Sequence, residues 1–369
     1  MEPPPDYSEH PQQLTDIDLK MWIPFAQGDN MFFNYAVGVS RRMGLIGERL
    51  FCGTRTAMRV EFWDIKPVRG SILGRPVNAE TIHDIGSMNT YLKENLTIGI
   101  RTISIHANSP NSPLSITAEA MNVLLTQLRV GPQFLDLLFS FAGHGKDVEA
   151  GSGSLVYKYV ANGPNVAGIL EVQYILRYPI LTNDNTWIIS QTAVYHRHVL
   201  KTHGSFWILL HSDADSPLQA RLQACMRQWE RSHSYVRDGF DHVHFLALSS
   251  YLGEWRWFLL DLEKEVEALD TSSLSLLHNT SSTSHSDSTQ TRLHIENTTR
   301  TLHRRIAPLK PILESTLQTV KNLGVVAGKP PKMADEFRTY EVMITGYLAA
   351  VEGLRGAVER VGRVRGDLS

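Results

Sequence analysis

The stretch LSSYLGEWRWFLLDLEKEVEAL, residues 248–269, decides how the back half of this chain folds. Its large apolar side chains recur at alternating steps of four and three residues. They are Leu248, Leu252, Trp255, Leu259, Leu262, Val266 and Leu269. Because an α-helix turns once in about 3.6 residues, this spacing places them along one side of a helix, as in helices that pack side by side. We predict a long helix that ends near Asp270.

Two further heptad runs follow toward the C-terminus. The first extends from Leu302 to Leu323 and is followed by glycines and prolines, which stop a helix. The second extends from Phe337 to Val361 and contains several glycines, each costing about 1 kcal/mol relative to alanine inside a helix. Such a helix needs packing partners, so the three runs predict helices that pack on one another or on another copy of the chain.

Residues 236–369 are therefore predicted to form a helical stalk region. Its one interruption is the segment 271–291, which consists mostly of Ser, Thr, His and Asn. This composition is typical of a segment with no face to bury, so we predict a mobile, disordered surface loop there.

Strand patterns dominate the front half of the chain. MRVEFWDI, residues 58–65, alternates apolar and charged side chains and predicts a half-buried strand. LTIGIRTISIH, residues 96–106, changes phase at Arg101 and Thr102, which predicts a strand with a bulge. Two short helices are predicted around residues 121–128 and 134–141, followed by a Gly-rich loop at 143–154.

Three strands in succession complete this half. EVQYILRY, WIISQTAVYHRHV and FWILL are separated by short turns, which favours an antiparallel meander. Ser216 and Pro217 then mark the start of a helix. The sequence thus predicts an α+β fold: a flexible N-terminal tail at 1–25, an α/β domain with a mostly antiparallel sheet at 26–235, and the stalk region.

Charge, cysteine content and hydropathy limit the partners and the compartment that the chain can have. The net charge of −2 gives no electrostatic footprint for nucleic acid, so no nucleic-acid partner is predicted. Only two cysteines occur, Cys52 and Cys225, which fits a reducing compartment. No window approaches the roughly 20 apolar residues of a membrane span. The chain by itself is predicted to be cytoplasmic, and membrane-associated if the full gene product carries C-terminal transmembrane helices.

His196 and His198 are the candidate metal ligands. They lie two residues apart on one face of a predicted strand, and grouped neutral imidazoles can bind a transition metal. The alternative is that they are surface or hydrogen-bonded histidines, because no neighbouring Cys, Asp or Glu completes a ligand set. His242 and His244 are weaker candidates, since residues two apart on a helix point to different faces.

No catalytic constellation stands out in the sequence. The segment GHGK at Gly143–Lys146 lacks the spacing and the hydroxyl residue of a phosphate-binding loop. There is no Gly-x-Ser-x-Gly elbow, and no pair of catalytic carboxylates stands out. We therefore predict that the chain is not an enzyme and that it has no catalytic residues.

RTISIHANSPNSPLSITAEAMNVLLTQLRVGPQFLDLLFSFA, residues 101–142, resembles the cytosolic domain of CorA-like magnesium transporters of the divergent fungal type. The likeness continues through EVQYILRY, TAVYHR, GSFWILLH and EWRWFLLDLE into the long helices. It covers roughly residues 50–369, and the order of the parts agrees.

The resemblance implies an α/β/α cytosolic domain, stalk helices and a pentamer around a pore. In that family two membrane helices flank a Gly-Met-Asn loop. This chain has only Met88-Asn89, after Ser87, and Met121-Asn122, after Ala120, and neither lies between apolar spans. No family site residue therefore has a matching position here.

The leading hypothesis is the regulatory, cytosolic portion of a CorA-like magnesium or divalent metal ion transporter. Without membrane spans it is not expected to transport ions alone. Mg²⁺ is the cofactor that the resemblance implies. Expected partners are further copies, through the stalk helices, and membrane-embedded homologues. The alternative is a soluble coiled-coil scaffold or interaction module with no metal role.

Overall fold

The structure is a computed structural model, and it describes residues 33–53, 57–65, 77–94, 99–110, 112–142, 156–160, 168–200, 204–231, 239–278, 285–326 and 331–366. The chain divides into two compact units. The first comprises Met1–Gly70, Arg75–Gly143 and Phe206–Ala214, and the second comprises Ser71–Gly74, His144–Ser205 and Asp215–Ser369. The predicted boundary between residues 235 and 236 falls inside the second unit. The predicted tail at 1–25 and most of the Gly-rich loop lie outside the described residues.

Helices and strands follow one another along the chain from the N-terminus to the C-terminus. They are α1 (Phe33–Leu50), β1 (Val60–Ile65), β2 (Val77–Ile82), α2 (Ile85–Glu94), β3 (Ile100–His106), α3 (Ala118–Gln127), α4 (Phe134–Phe139), β4 (Val156–Val160), β5 (Ile169–Leu181), β6 (Trp187–Val199), β7 (Gly204–His211), α5 (Pro217–Arg231), α6 (Gly239–Tyr251), α7 (Glu254–His278), α8 (His285–Ile306), α9 (Leu309–Val326) and α10 (Pro331–Gly366). The predicted α+β class is confirmed.

In the first unit the strand order is β2-β1-β3-β7. β1 pairs antiparallel with β2 and with β3, and its register with β3 runs unbroken from Val60↔Ile105 to Ile65↔Ile100. The bulge predicted at Arg101 and Thr102 is therefore wrong. Every residue of β1 and of β3 is buried, so the prediction of a half-buried β1 is also wrong. Both strands are buried on both faces, and the charged side chains of Asp64 and Arg101 in them are buried as partners of each other.

In the second unit the strand order is β6-β5-β4, and both pairings are antiparallel. The β5–β6 pairing was predicted, whereas β4 was not. The β5–β6 ladder extends over the full length of both strands, from Ile169↔Val199 to Leu181↔Trp187. α6, α7 and α9 contact β5.

The long helices of the second unit bury their apolar seams against one another. α10 packs on α7, α8 and α9, and α7 also packs on α8. The buried side chains include Trp255, Leu259, Leu262, Val266 and Leu269 on α7, Leu302 and Ile306 on α8, Leu313, Val320 and Leu323 on α9, and Phe337, Ile344, Val351, Leu354, Val358 and Val361 on α10. The predicted seams thus meet within one chain.

The helix boundaries differ from the prediction in two places. The first heptad run is divided at Leu252 and Gly253, where α6 ends and α7 begins, and the second is divided at Ala307 and Pro308, between α8 and α9. Among the described residues, no helix combines the length and the apolar character that crossing a membrane requires.

The predicted loop at 271–291 is wrong over most of its length, because α7 continues to His278 and α8 begins at His285. The hydroxyl groups that suggested a loop are accommodated in the helix. Thr271 Oγ1 donates to the Glu267 carbonyl oxygen at 2.9 Å, and Ser272 Oγ donates to that of Ala268 at 2.8 Å. Serine and threonine can bond to the carbonyl four residues earlier, so their abundance does not exclude a helix.

Candidate functional site

The two candidate metal ligands, His196 and His198, lie on β6 and are both buried. Alternate residues of a strand project from the same face, so their rings are neighbours, with centroids 6.0 Å apart. The surface alternative for these histidines is therefore wrong. Both rings are hydrogen-bonded, which was the other part of that alternative.

A chain of hydrogen bonds passes through these two rings. The Tyr174 hydroxyl on β5 lies 2.7 Å from His244 Nδ1 on α6, and His244 Nε2 lies 3.2 Å from His196 Nδ1. On the other side, His196 Nε2 lies 3.2 Å from Ser205 Oγ, which lies 2.8 Å from His198 Nδ1. We call these five residues the histidine chain. It ties α6 to β5, β6 and the first residues of β7.

His196 and His244 are neutral near pH 7. Burial is the main cause that lowers the pKa of His196 well below its ordinary value, and the neighbouring His244 and His198 lower it further. Burial lowers the pKa of His244 to about 3. A neutral imidazole has one donor and one acceptor nitrogen, so the hydrogen bonds from Tyr174 through His244 and His196 to Ser205 must all point in one direction. The Ser205 hydroxyl has one donor and two acceptor positions, so it can donate to His198 or accept from it.

The donor chemistry of the histidine chain does not suit Mg²⁺. This ion takes oxygen ligands, whereas imidazole nitrogens suit transition metals. Both ring nitrogens of His196 already face protein groups. Within the described part of the chain, no group of three or more His, Cys, Asp or Glu residues is arranged to hold a metal ion. A transition-metal role for His196 and His198 stays a prediction.

A second buried network holds α5 and α6 on the same strands. The Tyr178 hydroxyl lies 2.9 Å from Thr192 Oγ1, which lies 3.0 Å from the Tyr251 hydroxyl, and that hydroxyl lies 3.0 Å from Ser216 Oγ. The rings of Tyr178 and Tyr251 stack at 3.6 Å. Ser216 also accepts a hydrogen bond from the Gln219 amide, which confirms the predicted helix start. This network makes the junction between strands and helices rigid.

The first unit contains a buried ion pair that the sequence analysis missed. Arg101 Nε donates to Asp64 Oδ1 at 2.9 Å, and Arg101 Nη2 donates to Asp64 Oδ2 at 2.7 Å. The Tyr91 hydroxyl donates to Asp64 Oδ2 at 2.9 Å, and Asn78 Nδ2 donates to the Tyr91 hydroxyl at 3.2 Å. An aspartate in one predicted strand and an arginine in the next were the available signal.

His106 and His211 form a separate pair in the first unit. Their rings stack with centroids 4.6 Å apart, and His106 Nδ1 lies 3.2 Å from the Asp213 carbonyl oxygen. Burial lowers the pKa of both rings, and for His211 the pKa falls well below its ordinary value. This pair is therefore neutral near pH 7 as well.

The surface of α10 offers a site of a different kind. Val342, Gly346, Ala349 and Gly353 recur at steps of four, three and four and are all exposed, whereas Ile344 and Val351 between them are buried. We call these four exposed residues the small-residue stripe. A Cβ atom added at Gly346 or Gly353 would meet nothing within 4 Å. Small side chains allow another helix to approach the backbone closely.

Three comparisons with known proteins bear on this arrangement. A family model described as CorA-like transporters matches residues 36–155 and 169–274, which is more than half of the chain. No curated protein matches.

Two solved structures match most of the chain. The soluble domain of CorA from Methanocaldococcus jannaschii is 11% identical, with a TM-score of 0.46, and the match covers 84% of this chain and 96% of that one. The ZntB cytoplasmic domain from Vibrio parahaemolyticus RIMD 2210633 is 12% identical, with a TM-score of 0.41, and the match covers 84% and 99%. Because both TM-scores are below 0.5, family membership rests on the matched residues.

Proposed function

Because this chain belongs to the CorA-like transporter family, we propose that it is a regulatory, extramembrane part of a magnesium or other divalent metal ion transport system. The proposal assigns it no catalytic role. Its partners would be further copies of the chain and membrane-embedded homologues. The observation that carries the proposal is the family match over residues 36–155 and 169–274. The small-residue stripe supports its assembly step, because it leaves one side of α10 open to another copy.

The dimensions of α10 suit a stalk. It has 36 residues and is about 54 Å long at 1.5 Å per residue. Its apolar seam is buried within the chain, so the small-residue stripe remains for contacts between copies. In the proposed mechanism, carboxylate oxygens from neighbouring copies bind Mg²⁺ and shift the equilibrium between looser and tighter packing of these helices.

Asp335 and Glu336 illustrate what α10 could supply to such an ion. Both are exposed near the N-terminal end of the helix. Hard oxygen ligands of this type are the ones that Mg²⁺ prefers. A neighbouring copy that aligned its own α10 would bring a second set of the same carboxylates close by.

Substitution of Gly353 tests the role of the small-residue stripe. We expect Gly353→Leu to abolish self-association through α10, because a large side chain keeps the two α10 backbones apart. The chain itself should remain folded, since the added atoms point into open space. Sedimentation velocity in Mg²⁺-containing buffer would show the wild type as large assemblies and the variant without them.

Gly353→Ala is the matched control. Alanine is small enough to preserve close packing and should raise the free energy of unfolding by roughly 0.5–1 kcal/mol, because glycine is disfavoured inside a helix. If Gly353→Leu associates as strongly as Gly353→Ala and the wild type, the stripe is not the contact between copies and this assembly mechanism is wrong.

A further inference from the structure

α7 carries an exposed stripe on the side opposite its buried seam. Trp257, Leu260 and Leu274 on it are 53%, 41% and 49% exposed. Three polar residues lie between them on the same side of the helix, and all three are exposed. We call the six residues the outer stripe of α7: Trp257, Leu260, Lys264, Glu267, Thr271 and Leu274. They recur at steps of three and four, which is again the spacing of a helix-packing seam.

The outer stripe of one copy complements the outer stripe of a second copy whose α7 runs in the opposite direction. The large apolar residues Trp257 and Leu274 lie at its two ends. Leu260 and Thr271 come next, and Lys264 and Glu267 lie at the centre. A two-fold interface requires that residue i contacts residue j and that j contacts i. We propose that two copies of this chain pair antiparallel through the outer stripe of α7.

In this pairing each contact occurs twice. Trp257 faces Leu274, Leu260 faces Thr271, and Lys264 faces Glu267, so the two opposite charges at the centre meet across the interface. A parallel pairing would instead place Lys264 against Lys264 and Glu267 against Glu267. Charge complementarity therefore selects a second copy in the antiparallel orientation.

The side chains at the centre are available for this contact. Lys264 Nζ lies 2.8 Å from Asp261 Oδ1 within the helix, and the Lys264 side chain is still 65% exposed. An exposed ion pair of this type contributes little to stability, so Lys264 can also reach a partner. The stripe extends over about 26 Å of helix, which matches a small, transient interface.

Two acidic residues limit the strength of the pair. Glu263 and Asp270 flank the stripe on one side and are exposed. In the antiparallel arrangement Glu263 of one copy comes near Asp270 of the other, and like charges repel. The interface should therefore be weak and dependent on concentration, and distinct from the assembly through α10.

A charge exchange tests the proposed contact. We expect Lys264→Glu alone and Glu267→Lys alone to weaken pairing at least about tenfold, since each creates two like-charge contacts. The double exchange should restore the dissociation constant to within about threefold of its original value. Sedimentation equilibrium over a range of concentrations measures these constants, and thermal unfolding checks that all variants fold equally well.

The Gly353→Leu chain is the best background for this measurement, because it removes association through α10. The α7 pair should persist there, so the failure of one interface can be distinguished from the failure of the other. If the Gly353→Leu chain with the natural α7 remains monomeric at every concentration, or if the double exchange is as weak as the single ones, the proposal is overturned.

Disulfide trapping tests the orientation. With the two free cysteines, Cys52 and Cys225, replaced by serine, a mixture of Leu260→Cys and Thr271→Cys chains should form a mixed disulfide dimer on mild oxidation. Leu260→Cys alone should cross-link at least about fivefold less, because its partner position holds threonine. Efficient cross-linking of Leu260→Cys to itself, or no cross-linking in the mixture, would overturn the antiparallel arrangement.

Discussion

Replacing Arg101 with methionine is expected to lower the free energy of unfolding by about 3–5 kcal/mol. The side chains of Arg101 and Asp64 are 5% and 0% exposed and are joined by two hydrogen bonds. Methionine would leave the Asp64 carboxylate buried without its counter-charge. Urea denaturation followed by circular dichroism measures the loss.

Two further variants separate a buried charge from a general loss of packing. The double variant Arg101→Met with Asp64→Leu should recover much of the loss, because an apolar pair leaves no unpaired charge. Arg300→Met is the control on a more exposed ion pair. The side chains of Arg300 and its partner Glu296 are 59% and 29% exposed, so its removal should cost no more than about 1 kcal/mol. Equal losses for Arg101→Met and Arg300→Met would contradict this account.

Acidification from pH 7 to pH 5 is expected to destabilise the protein by several kcal/mol. His196, His211 and His244 all have a pKa well below the ordinary value, mainly because burial disfavours the charged ring. These histidines therefore bind protons below about pH 6.5 in the unfolded chain but stay neutral in the folded chain. The contribution of the neutral histidines to the free energy of unfolding is complete above this pH and falls as the pH drops. For His244, whose pKa is about 3 in the folded chain, the loss at pH 5 is roughly 2 kcal/mol, and His196 and His211 add losses of the same sign.

The substitution His244→Gln provides the test. It removes one titrating group, so the stability of this variant should fall less steeply between pH 7 and pH 5, by up to about 1.4 kcal/mol per pH unit. His242→Gln is the matched control, since His242 lies on the same helix but is exposed. Urea denaturation at a series of pH values gives the slopes. If the slope for His244→Gln equals that of the wild type, His244 takes up its proton in the folded state as readily as in the unfolded one.

Periodicity predicted the parts of the fold in which one face of an element is apolar. The seam of α7, the long α10 and the antiparallel pairing of β5 with β6 followed from spacing alone. β1 and β3 were different, because they are buried on both faces and contain charged residues that only a distant partner explains. The alternating pattern therefore suggested a solvent-facing side that does not exist.

Elements without an apolar pattern were missed. β2, with sequence VNAETI, is mostly exposed, and its pairing with β1 forms it despite the lack of alternation. α2 and α1 were missed as well. The segment 271–291 was wrongly predicted to be a loop. Its hydroxyl groups bond to the backbone of the helix that they were expected to disrupt.

The candidate site could be predicted only in part. The spacing of His196 and His198 correctly placed both rings on one face of a strand. Tyr174 and His244 lie 70 positions apart in sequence, and His244 lies 48 positions from His196. No local pattern connects such distant residues, because tertiary packing brings them together. The small-residue stripe was likewise noted only as glycines that cost helix stability.

The most direct test of the proposed function is the sedimentation of the full chain with and without Mg²⁺. The account predicts that millimolar Mg²⁺ shifts the distribution toward larger assemblies, and that sodium chloride of equal ionic strength does not. An oligomer or a monomer that is indifferent to Mg²⁺ would contradict the regulatory role and would favour a scaffold without a metal function.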